Sequence, residues 1–348
     1  MDLTSQMRAE ALDGPAALRR LMASDIEPLA RLVHSLVHQT PGNLLTVARG
    51  TSDHAAHYAA YLIMARLGVP VTSLPMSLLT LYQSPLRTQG MVSLAFSQSG
   101  RSPDLVIPTR ALREAGARTV AFVNDVQSPL AEAAEWVFDL QAGPEKSVAA
   151  TKSCLAQLAS GARLAAHWLA AQQGEPSCAL GEALMHLPCS LEAAIDQDWS
   201  AAVDMLVDVD RLYVIGRGPG LPIAQEAALK LKETCGIQAE AFSSAEVRHG
   251  PMALAEPGYP MLVFAPPGPA QADLLQLAGD MRARQVRVLL VAPHGTPGVD
   301  LPMASAPHDD LAPIVALQSH YLMVEALARA KGRNPDTPPH LSKVTLTE

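Results

Sequence analysis

Apolar residues recur at helical spacing from residue 1 to about 40, where Ala, Leu and Met repeat and Gly14-Pro15 interrupts them once. The pattern then changes to short apolar runs separated by longer amphipathic stretches. Residues 43–48 (NLLTVA) read as a buried strand ended by Arg49-Gly50, and 51–67 as an amphipathic helix. Further strands are predicted at 69–74, 91–96, 119–124 and 136–140, with helices at 103–115 and 151–172. Strands alternating with helices of this length predict βαβ crossovers and a parallel sheet, an α/β fold.

A polar Gly/Pro stretch at 172–177 (QQGEPS) marks a boundary. A continuous helical pattern follows over 178–207, and then the strand–glycine–helix order restarts. Residues 211–215 (RLYVI) predict a strand, 216–220 (GRGPG) a turn and 221–234 a helix. Strands at 260–265 and 286–291 and helices at 270–284 and 313–330 complete the second half, and the polar, Pro-rich 331–348 shows no periodicity. Arg49-Gly50 and Arg217-Gly218 occupy the same place in each half, 217 − 49 = 168 residues apart. That spacing suggests a weak duplication, structural rather than textual. Ligands of such sheets bind outside the carboxyl ends of the strands.

Composition narrows the classes. The chain has 348 residues, enough for roughly two domains. With 49% hydrophobic and 17% charged residues it is not a disordered chain. A formal net charge of −8 argues against general nucleic-acid binding. Cys154, Cys178, Cys189 and Cys235 form no CxxC and have no His at zinc-ligand spacing, so they read as reduced thiols of a cytoplasmic protein, with no metal expected. Asp2, Arg8 and Glu10 fall where a secretory signal would be apolar, and no window of about 20 residues lacks charges and helix breakers, so no membrane span is expected.

Four segments carry candidate chemistry. Ser97-Gln98-Ser99-Gly100-Arg101-Ser102 follows a strand and opens a helix. Hydroxyls and unpaired backbone N–H groups at such a turn suit a phosphate monoester, although an ordinary serine cap has the same residues. Gly50-Thr51-Ser52 repeats the arrangement, and neither turn is a Walker A loop or a GxGxxG. Glu226, Lys230 and Glu233 lie at i, i+4 and i+7 on one helix face, either a solvated charged face or a site beside the glycine turn. His249, between Arg248 and Gly250-Pro251, is suited to proton transfer but is equally a common surface histidine. The tail 338–348 carries Lys343, which by itself reads as an exposed lysine.

Together, ARGTSDHAA (48–56), SQSGRSPD (97–104), GPEKSVAATKS (143–153), GRGPGLPIAQEAALKLKE (216–233), AEAFSSAEVRHGP (239–251) and HLSKVTLTE (340–348) resemble the sugar isomerase (SIS) family. They are most similar to the isomerase half of glucosamine-6-phosphate synthase and to related glucosamine-6-phosphate deaminases. The resemblance implies two flavodoxin-like subdomains, each a five-stranded parallel sheet sandwiched by helices. The organisation it implies is a helical segment at 1–40, subdomains at 41–175 and 176–331, and an active-site tail at 332–348. It also implies a homodimer with a shared active site, no cofactor, and no nucleic-acid or membrane partner. By resemblance, Ser52, Ser97, Gln98, Ser99 and Ser102 hold the 6-phosphate, while Val148 and Ser342 touch the sugar. Glu233 moves the proton between C1 and C2, Lys230 supports enolate charge and Glu226 shapes the site. His249, from the neighbouring subunit, opens the ring, and Lys343 serves at the carbonyl, as a Schiff base in the synthase.

Departures from the family pattern refine the expectation. The chain starts Met1-Asp2-Leu3, so no glutaminase is expected before the isomerase portion. Arg101-Ser102 stands where the synthase has Glu-Thr, adding a cation expected near the phosphate, and Ala150 replaces a hydroxyl residue. The expected activity is deamination and isomerisation of glucosamine 6-phosphate to fructose 6-phosphate and ammonia. Alternatives are another SIS-type phosphosugar isomerase or deaminase, aminotransferase-like in sequence, and a non-catalytic sugar-phosphate sensor.

Overall fold

A computed structural model of the chain describes residues 5–343. These fall into two compact units, one of 16–145, 152–185 and 342–343, the other of 5–15, 146–151 and 186–341. The N-terminal helical stretch is three helices, α1 (Gln6–Leu12), α2 (Gly14–Met22) and α3 (Glu27–His38). The second break is one that periodicity did not reveal. The Ser24 hydroxyl donates to the Leu21 carbonyl and the Asp25 carboxylate accepts from Glu27 N, so local side chains compete with helical bonds.

In the first unit the chain runs β1 (Leu44–Val47), α4 (Thr51–Leu67), β2 (Val71–Ser73), α5 (Ser77–Thr80), β3 (Val92–Ser97) and α6 (Pro103–Glu114). It continues through β4 (Arg118–Val123), α7 (Pro129–Ala133), β5 (Trp136–Asp139) and α8 (Lys152–Gln173). All five strands are parallel, in the order β2-β1-β3-β4-β5. Every residue of β3 is buried, as expected for a parallel sheet covered on both faces. Phe96, Phe122 and Phe138 stack across β3, β4 and β5 at 4.8 and 5.3 Å.

The helical pattern over 178–207 is two helices, α9 (Ala179–Ile195) and α10 (Ser200–Leu206). They part where the Asp198 carboxylate accepts from Ser200 N at 2.9 Å. The second sheet then forms from β6 (Arg211–Gly216), α11 (Gly220–Cys235), β7 (Gln238–Ser243), β8 (Pro260–Phe264), α12 (Gln271–Ala283), β9 (Arg287–Pro293), β10 (Leu301–Met303) and α13 (Ala312–Ala330). Its strands are parallel in the order β10-β9-β8-β6-β7. Numbered within each unit, both sheets read 2-1-3-4-5, the flavodoxin-like order. The duplication is therefore structural. Strands β7 and β10 carry no apolar run of the kind that marks a strand. The first alternates Gln, Ala and Glu with partial exposure, and the second has three residues, one of them Pro.

The window Asp309–Ala330 is apolar and long enough to cross a membrane by composition, but 94% of it is buried within the protein, as in a core helix. It carries His320, fully buried. Burial pushes that imidazole down to about 4 from its ordinary 6.5, with Glu226 and Lys230 acting in opposite directions. The folded chain therefore holds His320 neutral, whereas the unfolded chain takes up a proton below pH 6.5. Stability should be full above pH 6.5 and fall by roughly 3 kcal/mol as pH drops toward 4. Urea midpoints at pH 7 and 4.5 check this: the wild type should lose more than His320→Gln over that interval, and equal losses would remove His320 as the cause.

Candidate functional site

The first unit gathers hydroxyls at the carboxyl edge of two neighbouring strands. β1 and β3 pair with Val47 beside Ala95, so the turns leaving them start side by side. The sheet order reverses here, β2 lying beyond β1 and β4 beyond β3, which is where such sheets bind ligands. Ser52 lies in the first turn of α4 and is half-buried. Ser97 ends β3 and is buried, Gln98 and Ser99 are half-buried in the turn, and Ser102 is the N-cap of α6. Ser97 Oγ accepts from Gly100 N at 2.9 Å and Ser99 Oγ from Arg101 N at 3.3 Å. Accepting a bond leaves each hydroxyl's proton available to donate. Gly100 has φ +64°, and a Cβ there would meet Ser128 Oγ at 2.1 Å, so the turn needs glycine.

Arg49 Nε reaches Asp104 Oδ2 at 3.1 Å, tying the turn after β1 to the first turn of α6. The second unit repeats the device with Arg217 and Asp273 at 2.8 Å. Arg49 and Arg217 are 168 residues apart and Asp104 and Asp273 are 169, so the duplication is preserved in an ion pair. Around Asp273, hydrogen bonds from Ser244, Arg248 and Arg217 outweigh desolvation and hold the carboxyl down at about 2. The matching turn of the second unit, 265–270, reads APPGPA: it has no hydroxyls, and its prolines have no N–H. Only the first unit thus has donors suited to a phosphate at this place. Arg101, expected to add a cation near the phosphate, is paired with Asp125 at 2.8 Å.

In the second unit, β6 ends at Gly216, where a Cβ would lie 2.3 Å from the Gly220 carbonyl oxygen. This close turn launches α11, whose charged face is not solvated. Glu226 and Lys230 are each 1% exposed at the side chain and Glu233 is 21% exposed. Lys230 Nζ lies 3.4 Å from Glu226 Oε1 and 2.5 Å from Glu233 Oε2. The Tyr321 hydroxyl donates to Glu226 Oε1 at 3.1 Å. The result is a buried chain, Tyr321–Glu226–Lys230–Glu233, whose exposed end is a carboxylate. His249 ends a 3₁₀ turn, Glu246–His249, and is exposed, outside that chain.

Val148 is half-buried in 146–151, a loop pinned by residues absent from the sequence-based site. Val148 N donates to the Asp336 carbonyl at 3.1 Å, and Ser147 N to Glu10 Oε2 at 3.2 Å. The Asp336 carboxylate in turn accepts from Gln6 N and Met7 N at 2.9 and 2.8 Å. In the first unit, Lys343 Nζ lies 3.1 Å from Glu145 Oε2. That carboxylate is fully buried and also accepts from Ser153 Oγ at 2.6 Å. Ser342 is exposed, and 344–348, the end of the expected tail motif, lie outside the described residues. Among the described residues no cluster of three or more His, Cys, Asp or Glu could hold a metal.

A family model, the SIS domain, matches residues 38–167 and 205–330, well over half of the chain. The chain belongs to the SIS domain family. Among SIS relatives, the glutamine–fructose-6-phosphate aminotransferase of Corynebacterium glutamicum is 31% identical over 370 residues. That match takes in 99% of this chain but 58% of the relative, so the chain spans little more than half of that protein. A provisionally named phosphosugar isomerase from Silicibacter pomeroyi superposes with a TM-score of 0.87 at 38% identity, covering 96% of this chain and 100% of the other. The C-terminal domain of glucosamine-fructose-6-phosphate aminotransferase from Francisella tularensis gives 0.85 at 25% identity, covering 97% and 99%. The two-sheet architecture is thus the SIS fold.

Proposed function

We propose that this SIS chain is a phosphosugar isomerase that deaminates a hexosamine 6-phosphate, with glucosamine 6-phosphate as substrate. The observation that carries the reading is the buried ammonium of Lys230, held between Glu226 and the partly exposed Glu233. Aldose–ketose interconversion needs one carboxylate serving two adjacent carbons and a cation for the developing enolate oxygen. The names borne by the relatives at 31% and 38% identity support the same class.

In this reading Ser52, Ser97, Gln98, Ser99 and Ser102 grip the 6-phosphate, while Val148 and Ser342 touch the sugar. His249 of the partner subunit opens the ring, which makes the working unit a homodimer. Glu233 takes the C2 proton and returns it at C1, converting the 2-amino aldose to a 2-imino ketose. The Lys343 amine adds to that imine, ammonia leaves, and water then releases fructose 6-phosphate. Atoms balance: one water enters and one ammonia departs.

A panel of hexosamine 6-phosphates assayed for ammonia and ketose 6-phosphate tests the proposal. Equal yields of both products from glucosamine 6-phosphate are expected. Tight binding without turnover of any member would instead favour a sensor. Ser97→Ala with Ser99→Ala should raise KM at least ~10-fold and change kcat less, because the phosphate does not change during the reaction. Normal KM in that double variant would reduce the turn to a helix cap.

A further inference from the structure

We infer that Tyr321 is a positioning residue that sets the proton affinity of Glu233 through Glu226 and Lys230. The inference rests on the proposed role of Glu233 and deepens it. Tyr321 is fully buried at the midpoint of α13, a helix whose sequence reads as plain core. Its hydroxyl donates to Oε1 of Glu226, the same oxygen that faces Lys230. A donor on that oxygen weakens its hold on the ammonium. The distances agree: Lys230 stands 3.4 Å from Glu226 and 2.5 Å from Glu233. The cation leans toward Glu233, at the exposed end of the chain.

Removing the hydroxyl takes one donor from the Oε1 of Glu226 that faces Lys230, so Glu226 draws Lys230 back. Glu233 then loses stabilisation of its charged form, and its proton affinity rises. The other titratable group of α13 that senses this chain is His320, which interacts with both Glu226 and Lys230. Burial pushes His320 to about 4, so it stays neutral above pH 5 and does not contribute to a limb in that range. Within α11 itself the neighbouring Lys232 is exposed and the Cys235 thiol is pushed up to about 11, chiefly by burial. That thiol does not change charge where a carboxylate does.

The test is Tyr321→Phe in the full chain, a change that keeps the ring and its packing. With glucosamine 6-phosphate, the acid limb of kcat should move up by about one pH unit, the share of one hydrogen bond to a charged group, so that kcat falls ~10-fold at a pH on that limb and little on the plateau, while KM stays within about twofold. In a Glu226→Gln background the same change should add almost nothing, because Tyr321 acts through that carboxylate. Carboxyl-carbon NMR on ¹³C-labelled protein reads the same shift without substrate, with the Glu233 signal assigned by its loss in Glu233→Gln. An upward shift of that titration in an enzyme that turns over no hexosamine phosphate would sink the functional proposal and keep this one. An unmoved Glu233 titration, or additive effects of the two substitutions, would overturn the role of Tyr321.

Discussion

Replacing Glu233 with glutamine should cut turnover of glucosamine 6-phosphate by ~10²–10⁴, the usual contribution of a general base, with KM little changed. The amide keeps the shape of the side chain and loses the basic carboxylate oxygen that, in the proposed mechanism, takes the C2 proton. The fold should tolerate it. Lys230 loses its 2.5 Å partner but keeps Glu226 at 3.4 Å, so the buried ammonium is not left without a counter-charge. Lys230→Met is the poorer probe. It leaves the 1%-exposed Glu226 as a buried carboxylate without its cation, an arrangement that costs about 3–5 kcal/mol and confuses catalysis with stability. Steady-state kinetics on Glu233→Gln, with Tm as the check on folding, decides the matter. Turnover within a few-fold of wild type would take Glu233 out of the mechanism.

That prediction uses residues legible from sequence, because their relationship is local. The i, i+4, i+7 spacing puts Glu226, Lys230 and Glu233 on one face wherever a helix forms. Whether that face is wet or buried is not a local property. It depends on α13 covering α11, and Tyr321 lies 95 residues beyond Glu226. The same division runs through the rest of the site. The hydroxyl turn 97–102 announces itself by composition, whereas the Arg49–Asp104 tie that braces it spans 55 residues. Strands with continuous apolar runs, such as β3 and β8, were readable. Strands β7 and β10 were not, since the first interleaves Gln and Glu with Ala and the second is three residues with a central Pro. The alignment of Arg49 with Arg217 did hold a usable signal: extending it by one helix would have matched Asp104 with Asp273.

Replacing Lys343 with arginine should abolish covalent capture of the ketose and lower turnover by ~10² or more. Arginine keeps a positive charge at the position but cannot form an imine. The surroundings of the lysine favour this test over deletion of a longer tail. The segment from 331 onward, featureless by periodicity, is anchored at Asp336, whose carboxylate accepts from Gln6 N and Met7 N. A cut before that residue would unpin α1 and the loop of Val148 along with the lysine. Removing 341–348 would also strip the buried Glu145 carboxylate of the Lys343 cation, so it should lower Tm as well as activity, whereas Lys343→Arg keeps the charge. The ammonium of Lys343 rests on the buried carboxylate of Glu145, 3.1 Å away. Borohydride added to wild type with fructose 6-phosphate should fix the sugar to the peptide holding Lys343, and to no peptide in Lys343→Arg. If the arginine variant turns over at a near-normal rate, the lysine acts by charge alone and ammonia leaves without a covalent intermediate.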